Sequence, residues 1–157
     1  MEKINLKIVT PEKVVLRDEA DSITLPTMEG EITILPNHIP LIAVLVPGEI
    51  QVRMGKNVKF MAVSGGFIEV LSTKVVVLAD TAERSEEIDI RRAEEAIKRA
   101  QELKEKRMVD AREFAMLSAK IEKEFARIRV GRRRRTSIEQ QAAEIGKYQD
   151  EKMKKKE

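Results

Sequence analysis

All five prolines of this 157-residue chain lie within its first 47 residues, and between Phe67 and Val130 there is neither a glycine nor a proline. No other feature limits the fold as tightly. Gly and Pro punctuate turns, so a long stretch without either is free to run as helix, while the stretch that holds them is cut into short segments. Five of the seven glycines fall in the first 66 residues, which sharpens the division. Charge follows the same line. Residues 1–84 carry nine basic and eleven acidic side chains, a net of −2, whereas residues 85–157 carry 21 and 16, a net of +5.

The first part contains β-branched runs at roughly ten-residue spacing, the pattern of an all-β sandwich or barrel. The runs are Ile4–Val9, Val14–Leu16, Ser22–Leu25, Glu31–Leu35, Glu49–Met54, Val58–Val63, Phe67–Leu71 and Lys74–Ala79. Gly55 centres a hairpin loop that pairs Glu49–Arg53 with Val58–Ala62. Pro26, Pro36, Pro40 and Pro47 fall at run ends, where a missing N–H leaves no gap in a ladder.

From Ile88 the period becomes helical. Ala93, Ala96, Ile97, Ala100 and Leu103 form a narrow stripe, and Phe114, Leu117, Ile121, Phe125 and Ile128 form a bulkier one. Asp110 followed by Glu113 reads as a capping box, placing a helix start there and a turn near Val109. Two helices joined so closely pack antiparallel, with the alanines admitting Phe114 and Phe125. Beyond Val130 come Gly131, four arginines, a second capping pattern at Thr136 and Glu139, and a thin stripe of Ile138, Ala142 and Ile145. The expected fold is therefore mixed, β then α: an antiparallel β-sandwich or barrel over residues 1–85, a helical hairpin over 86–130, and a basic, partly helical or disordered extension over 131–157.

Absent residue types exclude several kinds of chemistry. Without cysteine there is no disulfide or thiolate site, and with one histidine there is no His-cluster metal site. No apolar run approaches the length that spans a bilayer, and Met1–Leu6 has no signal-peptide core. A soluble protein of a reducing compartment is expected. No nucleophile–base pair emerges, so the chain reads as a non-enzyme that requires no cofactor.

Four ordered segments carry a family resemblance: GEITILPNHIPLIAVLVPGEIQVR at Gly30–Arg53, AVSGGFIEV at Ala62–Val70, VVVLADTAERSEEID at Val75–Asp89, and IDIRRA at Ile88–Ala93. Together they resemble the epsilon subunits of rotary ATP synthases, over roughly residues 3–130. The resemblance implies a non-catalytic rotor part of the central stalk. It would bind the gamma subunit, rest its sandwich on the c ring, and turn during proton- or sodium-driven ATP synthesis. Its C-terminal helices would either fold against the sandwich or extend into the alpha/beta catalytic headpiece and inhibit ATP hydrolysis. It would sit peripherally on the cytoplasmic face of the membrane, held there only through the complex.

The resemblance also implies site residues. Glu29, Glu31 and His38 belong to the loop facing the c ring. Within part of the family the I/L-D-x-x-R-A motif binds ATP as a regulatory ligand. Here Ile88, Asp89, Arg92 and Ala93 match it, Glu83 and Arg99 match accessory positions, and Lys123 and Arg127 are the nearest basic candidates on the second helix. Carboxylates accept from a nucleoside and arginines fork to phosphates; Lys123 departs from the pattern because an ammonium lacks that fork. Beside this stands a structural reading, in which Asp89 favours a helix start and pairs with Arg92. Arg127, Arg129, Arg132, Arg133, Arg134 and Arg135 are the basic residues that would meet an acidic segment of the beta subunit in the extended state. The same cluster admits two other readings, a solvated linker and a nucleic-acid-binding module. The second lacks an aromatic stacking platform, since Tyr148 is the only nearby ring. The Gly65–Gly66 pair reads as positive-φ backbone rather than a phosphate loop, because neither a Lys nor a helix start follows.

Overall fold

The structure, a computed structural model, describes residues 2–106 and 109–154, with side chains through Arg133. Ten strands form: β1 (Ile4–Val9), β2 (Val14–Ala20), β3 (Ser22–Thr27), β4 (Gly30–Ile34), β5 (Leu41–Leu45), β6 (Gly48–Met54), β7 (Asn57–Val63), β8 (Gly66–Val70), β9 (Lys74–Ala79) and β10 (Ala82–Arg84). All eight expected runs are strands, with ends shifted by a few residues. Two strands escaped the sequence reading. β5 lies inside the continuous apolar run Ile39–Pro47, where no alternation shows, and β10 is three residues long, too short to carry a period.

The strands follow the order β10-β7-β6-β3-β5-β8-β9-β1-β2, with β4 on the free side of β3. All neighbours pair antiparallel except β1 and β9. The sheet curls into a nearly closed sandwich because alternate residues point inward. On β1, Ile4, Leu6 and Ile8 are buried, and Ile23, Leu25, Ile50, Val52, Ile68, Val70, Val75 and Val77 meet them in one aliphatic core. Burying each such side chain contributes about 2 kcal/mol before entropy is counted. Groups from β2 and from Asp21, the residue that follows it, stitch the seam opposite β6, β7 and β10. Lys59 pairs with Asp18 at 3.4 Å, Arg84 donates to the Val15 carbonyl, and the Asp21 carboxylate accepts from the Gly55 N–H.

The expected hairpin has the expected register, Glu49 opposite Ala62 and Arg53 opposite Val58. Gly55 at φ 60° occupies the first turn position, as a II′ turn requires. Gly66, at φ 128°, supports the structural reading of the glycine pair: a Cβ there would lie 2.0 Å from the Leu78 carbonyl oxygen. Pro26 corrects one expectation. It lies within β3, opposite Glu31, rather than beyond a run end. Its carbonyl still accepts from Val46, so the missing N–H is its only gap in the ladder.

Two helices follow, α1 (Ile90–Lys106) and α2 (Ala111–Lys154). Asp89 caps α1 by accepting the Arg92 N–H at 3.1 Å, and Asp110 caps α2 by accepting the Glu113 N–H at 2.7 Å. The helices pack as a hairpin around Ala93, Ile97 and Ile128, flanked by Ile90 and Ile121. The hairpin lies against β6 and β7 through α2.

α2, which touches both α1 and the sandwich, departs from several expectations. Phe114 and Phe125 are half exposed instead of seated among the alanines; Phe114 lies under the Lys104 ammonium, 4.0 Å from its ring centre. The second buried stripe is Ala126 and Val130, which share a face with Arg133, itself in contact with β6 and β7. Gly131 does not end the helix. It admits the chain leading into α1, where an added Cβ would meet Ile90 at 2.9 Å and Ile88 at 3.1 Å. The backbone continues helically through Thr136, which therefore starts no new helix.

Candidate functional site

A cavity of about 730 Å³ lies where the β7–β10 edge of the sandwich meets both helices. Its polar lining is mixed but leans basic. Lys13, Arg92, Arg99, Lys120, Lys123 and Arg127 face Glu12, Glu83, Glu87 and Glu124, while Ala62, Val63, Ala82, Ala96 and Leu103 supply an apolar wall. A space of this size, with an apolar side and converging cations, suits a small organic anion.

Local structure explains how the groups arrive. β10 runs antiparallel to β7 and sets Glu83 opposite Ala62. Asp89 caps α1 and fixes where the helix starts, which brings Arg92 and, two turns on, Arg99 to the same wall. On α2, Lys120, Lys123 and Arg127 recur at three- and four-residue steps, one face of a helix. Arg127 is the fulcrum. Its Nε and Nη2 donate to the two Glu83 oxygens at 2.6 and 3.1 Å, and its Nη1 donates to Glu124 Oε2 at 2.7 Å. The Glu83 bonds hold the guanidinium charged well above its ordinary range, against the opposing effect of burial and with help from Glu124.

Of the residues assigned to the nucleotide motif, Glu83, Arg92, Arg99, Lys123 and Arg127 converge on this cavity. Ile88, Asp89 and Ala93 do not line it. Ile88 packs against Gly131, Asp89 is the cap, and Ala93 is fully buried between the helices. They position the wall rather than form it. The pairing expected between Asp89 and the Arg92 side chain is instead a bond to the Arg92 backbone. Sequence reasoning missed Lys120 and Glu124, whose spacing to Arg127 was legible, and Glu12 and Lys13, whose arrival from the β1–β2 loop no local pattern announces.

The other assigned residues lie elsewhere. Glu29 sits at the tip of the β3–β4 hairpin, where Thr27 Oγ1 accepts its N–H and donates to the Gly30 carbonyl at 2.6 Å. Glu31 is exposed beside the tip, opposite Pro26. His38 follows the far end of β4. Its Nδ1 donates to the Ile39 carbonyl at 2.7 Å, and the neighbouring Asn37 N–H bonds to Ser72. The two glutamates are thus grouped, and the imidazole is anchored at a separate loop. Among the basic residues, Arg132 pairs with Glu94 at 3.4 Å, and Arg133 pairs with Glu49 at 3.3 Å while lying over the Phe60 ring. Arg129 is exposed beside Pro47 and Phe125. The side chains of Arg134 and Arg135 lie outside the described residues.

A further surface has no counterpart in the sequence reading. Register places Val44 beside Phe67, Phe67 beside Leu78, Leu78 beside Val9, and Val9 beside Val14. This apolar row crosses five strands on the outside of the sandwich, and Val44, Phe67, Leu78 and Val14 are exposed there with Ile42 and Met28. An exposed apolar row that crosses several strands is a candidate interaction surface.

Among the described residues no helix is long and apolar enough to cross a membrane. Comparison with known proteins agrees with the architecture. Residues 3–85 match the family model for the ATP synthase delta/epsilon chain, beta-sandwich domain. The ATP synthase epsilon chain of Dehalococcoides mccartyi is 44% identical over 135 residues, spanning 86% of this chain and 96% of that one. That of Chloroflexus aggregans is 45% identical over 128 residues, spanning 81% and 91%. Among solved structures, a chain of the Euglena gracilis mitochondrial ATP synthase, in its OSCP/F1/c-ring part, superposes with TM-score 0.68 at 25% identity, covering 78% of this chain and 77% of that one. A chain from the central stalk and c ring of the Tetrahymena thermophila enzyme shares the fold at TM-score 0.54 and 17% identity, covering 83% and 99%. With the sandwich matched to the family model and the helices included in alignments spanning nearly the whole of its relatives, the chain belongs to the ATP synthase epsilon-chain family.

Proposed function

We propose that this chain is a non-catalytic rotor subunit of the ATP synthase central stalk, and that its hairpin is a nucleotide-responsive brake on ATP hydrolysis. The outer apolar row offers the gamma subunit a dry surface. Glu29, Glu31 and His38 offer polar groups to the c ring. The protein is held at the cytoplasmic face of the membrane through these partners alone, and it turns with the ring during synthesis.

In the folded hairpin Arg127, Arg132 and Arg133 are engaged with this chain's own Glu83, Glu124, Glu94 and Glu49. Extension releases the pairs to Glu83 and Glu49, which frees Arg133 and the Nε/Nη2 side of Arg127 for an acidic segment of the beta subunit in the alpha/beta headpiece, while Glu124 stays on Nη1 of Arg127. ATP bound in the cavity favours the folded form, because its walls come from sandwich and hairpin together and a ligand stabilises the state that binds it. The carrying observation is that Arg127, at the cavity wall, also ties the hairpin to the sandwich through Glu83. Engagement of the arginines within the chain favours this reading over nucleic-acid binding.

The test is calorimetric titration of ATP into the full chain, paired with ATP hydrolysis by the complex reconstituted with it. Saturable binding that Arg92→Ala abolishes, with hydrolysis more inhibited by the variant than by wild type at the same ATP, is the expected result. Absence of binding at millimolar ATP removes the nucleotide from the mechanism.

A further inference from the structure

Resting on the nucleotide reading, we propose that Glu124 sets the affinity of the cavity for polyphosphates by acting as an internal counter-anion. Glu124 is 7% exposed yet lines the cavity. It stands in the middle of the basic face of α2, four residues after Lys120, next to Lys123 and three before Arg127. Its carboxylate takes the Nη1 of Arg127 at 2.7 Å, the arm of the guanidinium that Glu83 leaves unused. A phosphate drawn to these cations must displace that carboxylate or lie against it.

The two carboxylates on Arg127 have different tasks. Glu83 comes from the sandwich, makes two bonds, and is lost when the hairpin leaves. Glu124 travels on the same helix as Arg127 and stays with it in either state. It therefore keeps the guanidinium neutralised without a ligand, and imposes a like-charge penalty on any anion that enters. Affinity is set low, so the site responds only when the nucleotide is abundant. Selectivity follows from the same geometry, because a ligand must carry enough phosphate charge to outcompete a carboxylate already in place. Monophosphates are disfavoured relative to triphosphates.

The test is titration of ATP and of inorganic tripolyphosphate into the full chain carrying Glu124→Gln, which keeps an acceptor for Arg127 and removes the charge. Glu122→Gln is the control. Glu122 is on the same helix but exposed toward the Pro47–Phe125 side, so it alters net charge equally without touching the cavity. Binding of both ligands about tenfold tighter in Glu124→Gln, with Glu122→Gln at the wild-type value, is expected from deleting one partly screened like charge. Glu124→Ala, checked for folding by thermal unfolding, should shift affinity in the same direction. Equal affinity in wild type and Glu124→Gln overturns the inference and leaves the nucleotide site standing. Equal tightening by Glu122→Gln also overturns it, because net charge alone then accounts for the effect. No ATP binding by any of the proteins removes the nucleotide site itself, and this inference with it.

Discussion

The sandwich and the hairpin are both closed by contacts across a seam, but different forces hold them. The sandwich encloses a continuous aliphatic core drawn from nine strands. Among the described residues the hairpin buries Ala93, Ile97 and Ile128 in its own cluster, adds Ala100, Ala126 and Val130, and is tied to the sandwich through arginine–carboxylate pairs. Apolar burial is non-directional and survives salt, whereas ion pairs near the surface are modest and screened. The difference teaches where this molecule can change shape. A hairpin held by few apolar groups and several charges detaches at low free-energy cost, while the sandwich remains a rigid platform.

The comparison breaks most visibly if a core residue is shown not to matter. Ile68→Ala, at a fully buried position between β5 and β9, should cost about 3–4 kcal/mol. Because the hairpin needs its platform, hydrogen exchange should accelerate in both regions. Acceleration confined to the sandwich would show the hairpin to be independently stable and overturn the hierarchy. A smaller and more confined effect is expected from Gly131→Val. Its branched side chain has no room beside Ile90 and Ile88, and overpacking of this kind costs roughly 1–3 kcal/mol. Exchange should then rise in α1 and α2 alone, with the β-strand amides unchanged.

These two positions also show what was legible in the sequence. Ile68 belonged to a short apolar run, Phe67–Leu71, whose place in a series at roughly ten-residue spacing identified it as a strand, and local pattern sufficed because one strand face sees one core. Gly131 carried no packing role in the sequence reading, which placed it only at the start of the basic extension. Its true role, a close approach by residues some forty positions earlier, leaves no local trace. The cavity divides in the same way. Arg92 and Arg99 lie on one helix and were grouped through the family resemblance, whereas Lys13 arrives through the fold alone. The outer apolar row is the extreme case. Val44, Phe67, Leu78, Val9 and Val14 are scattered over five strands and become neighbours only through register.

The electrostatic side of the comparison is sharpened by two ion pairs of similar chemistry and different shielding. Arg127→Met should cost about 1–2 kcal/mol, below the range for a fully buried pair because the Arg127 and Glu83 side chains retain 17% and 28% exposure. The loss should read as hairpin opening in the exchange pattern, and raised salt should reproduce part of it in the wild type alone. A variant indistinguishable from wild type would show that apolar contacts hold the hairpin.

Asp18→Asn, on the sandwich seam, should have the smallest effect. Asp18 and Lys59 are 47% and 45% exposed, and the seam rests on a core that closes without them. The Glu19 N–H, first, and then Lys59 hold the Asp18 carboxyl below its ordinary value of 3.8 in the folded protein. A lowered folded pKa contributes stability that is present above the unfolded value and disappears as pH falls through the folded one. The wild type should therefore melt slightly above Asp18→Asn at neutral pH, and the two Tm values should meet once the solution is more acidic than the folded carboxyl. Melting curves across that acid range decide it. A gap that persists at the lowest pH would assign the aspartate's contribution to shape rather than charge, and the seam would then be held by packing on both of its sides.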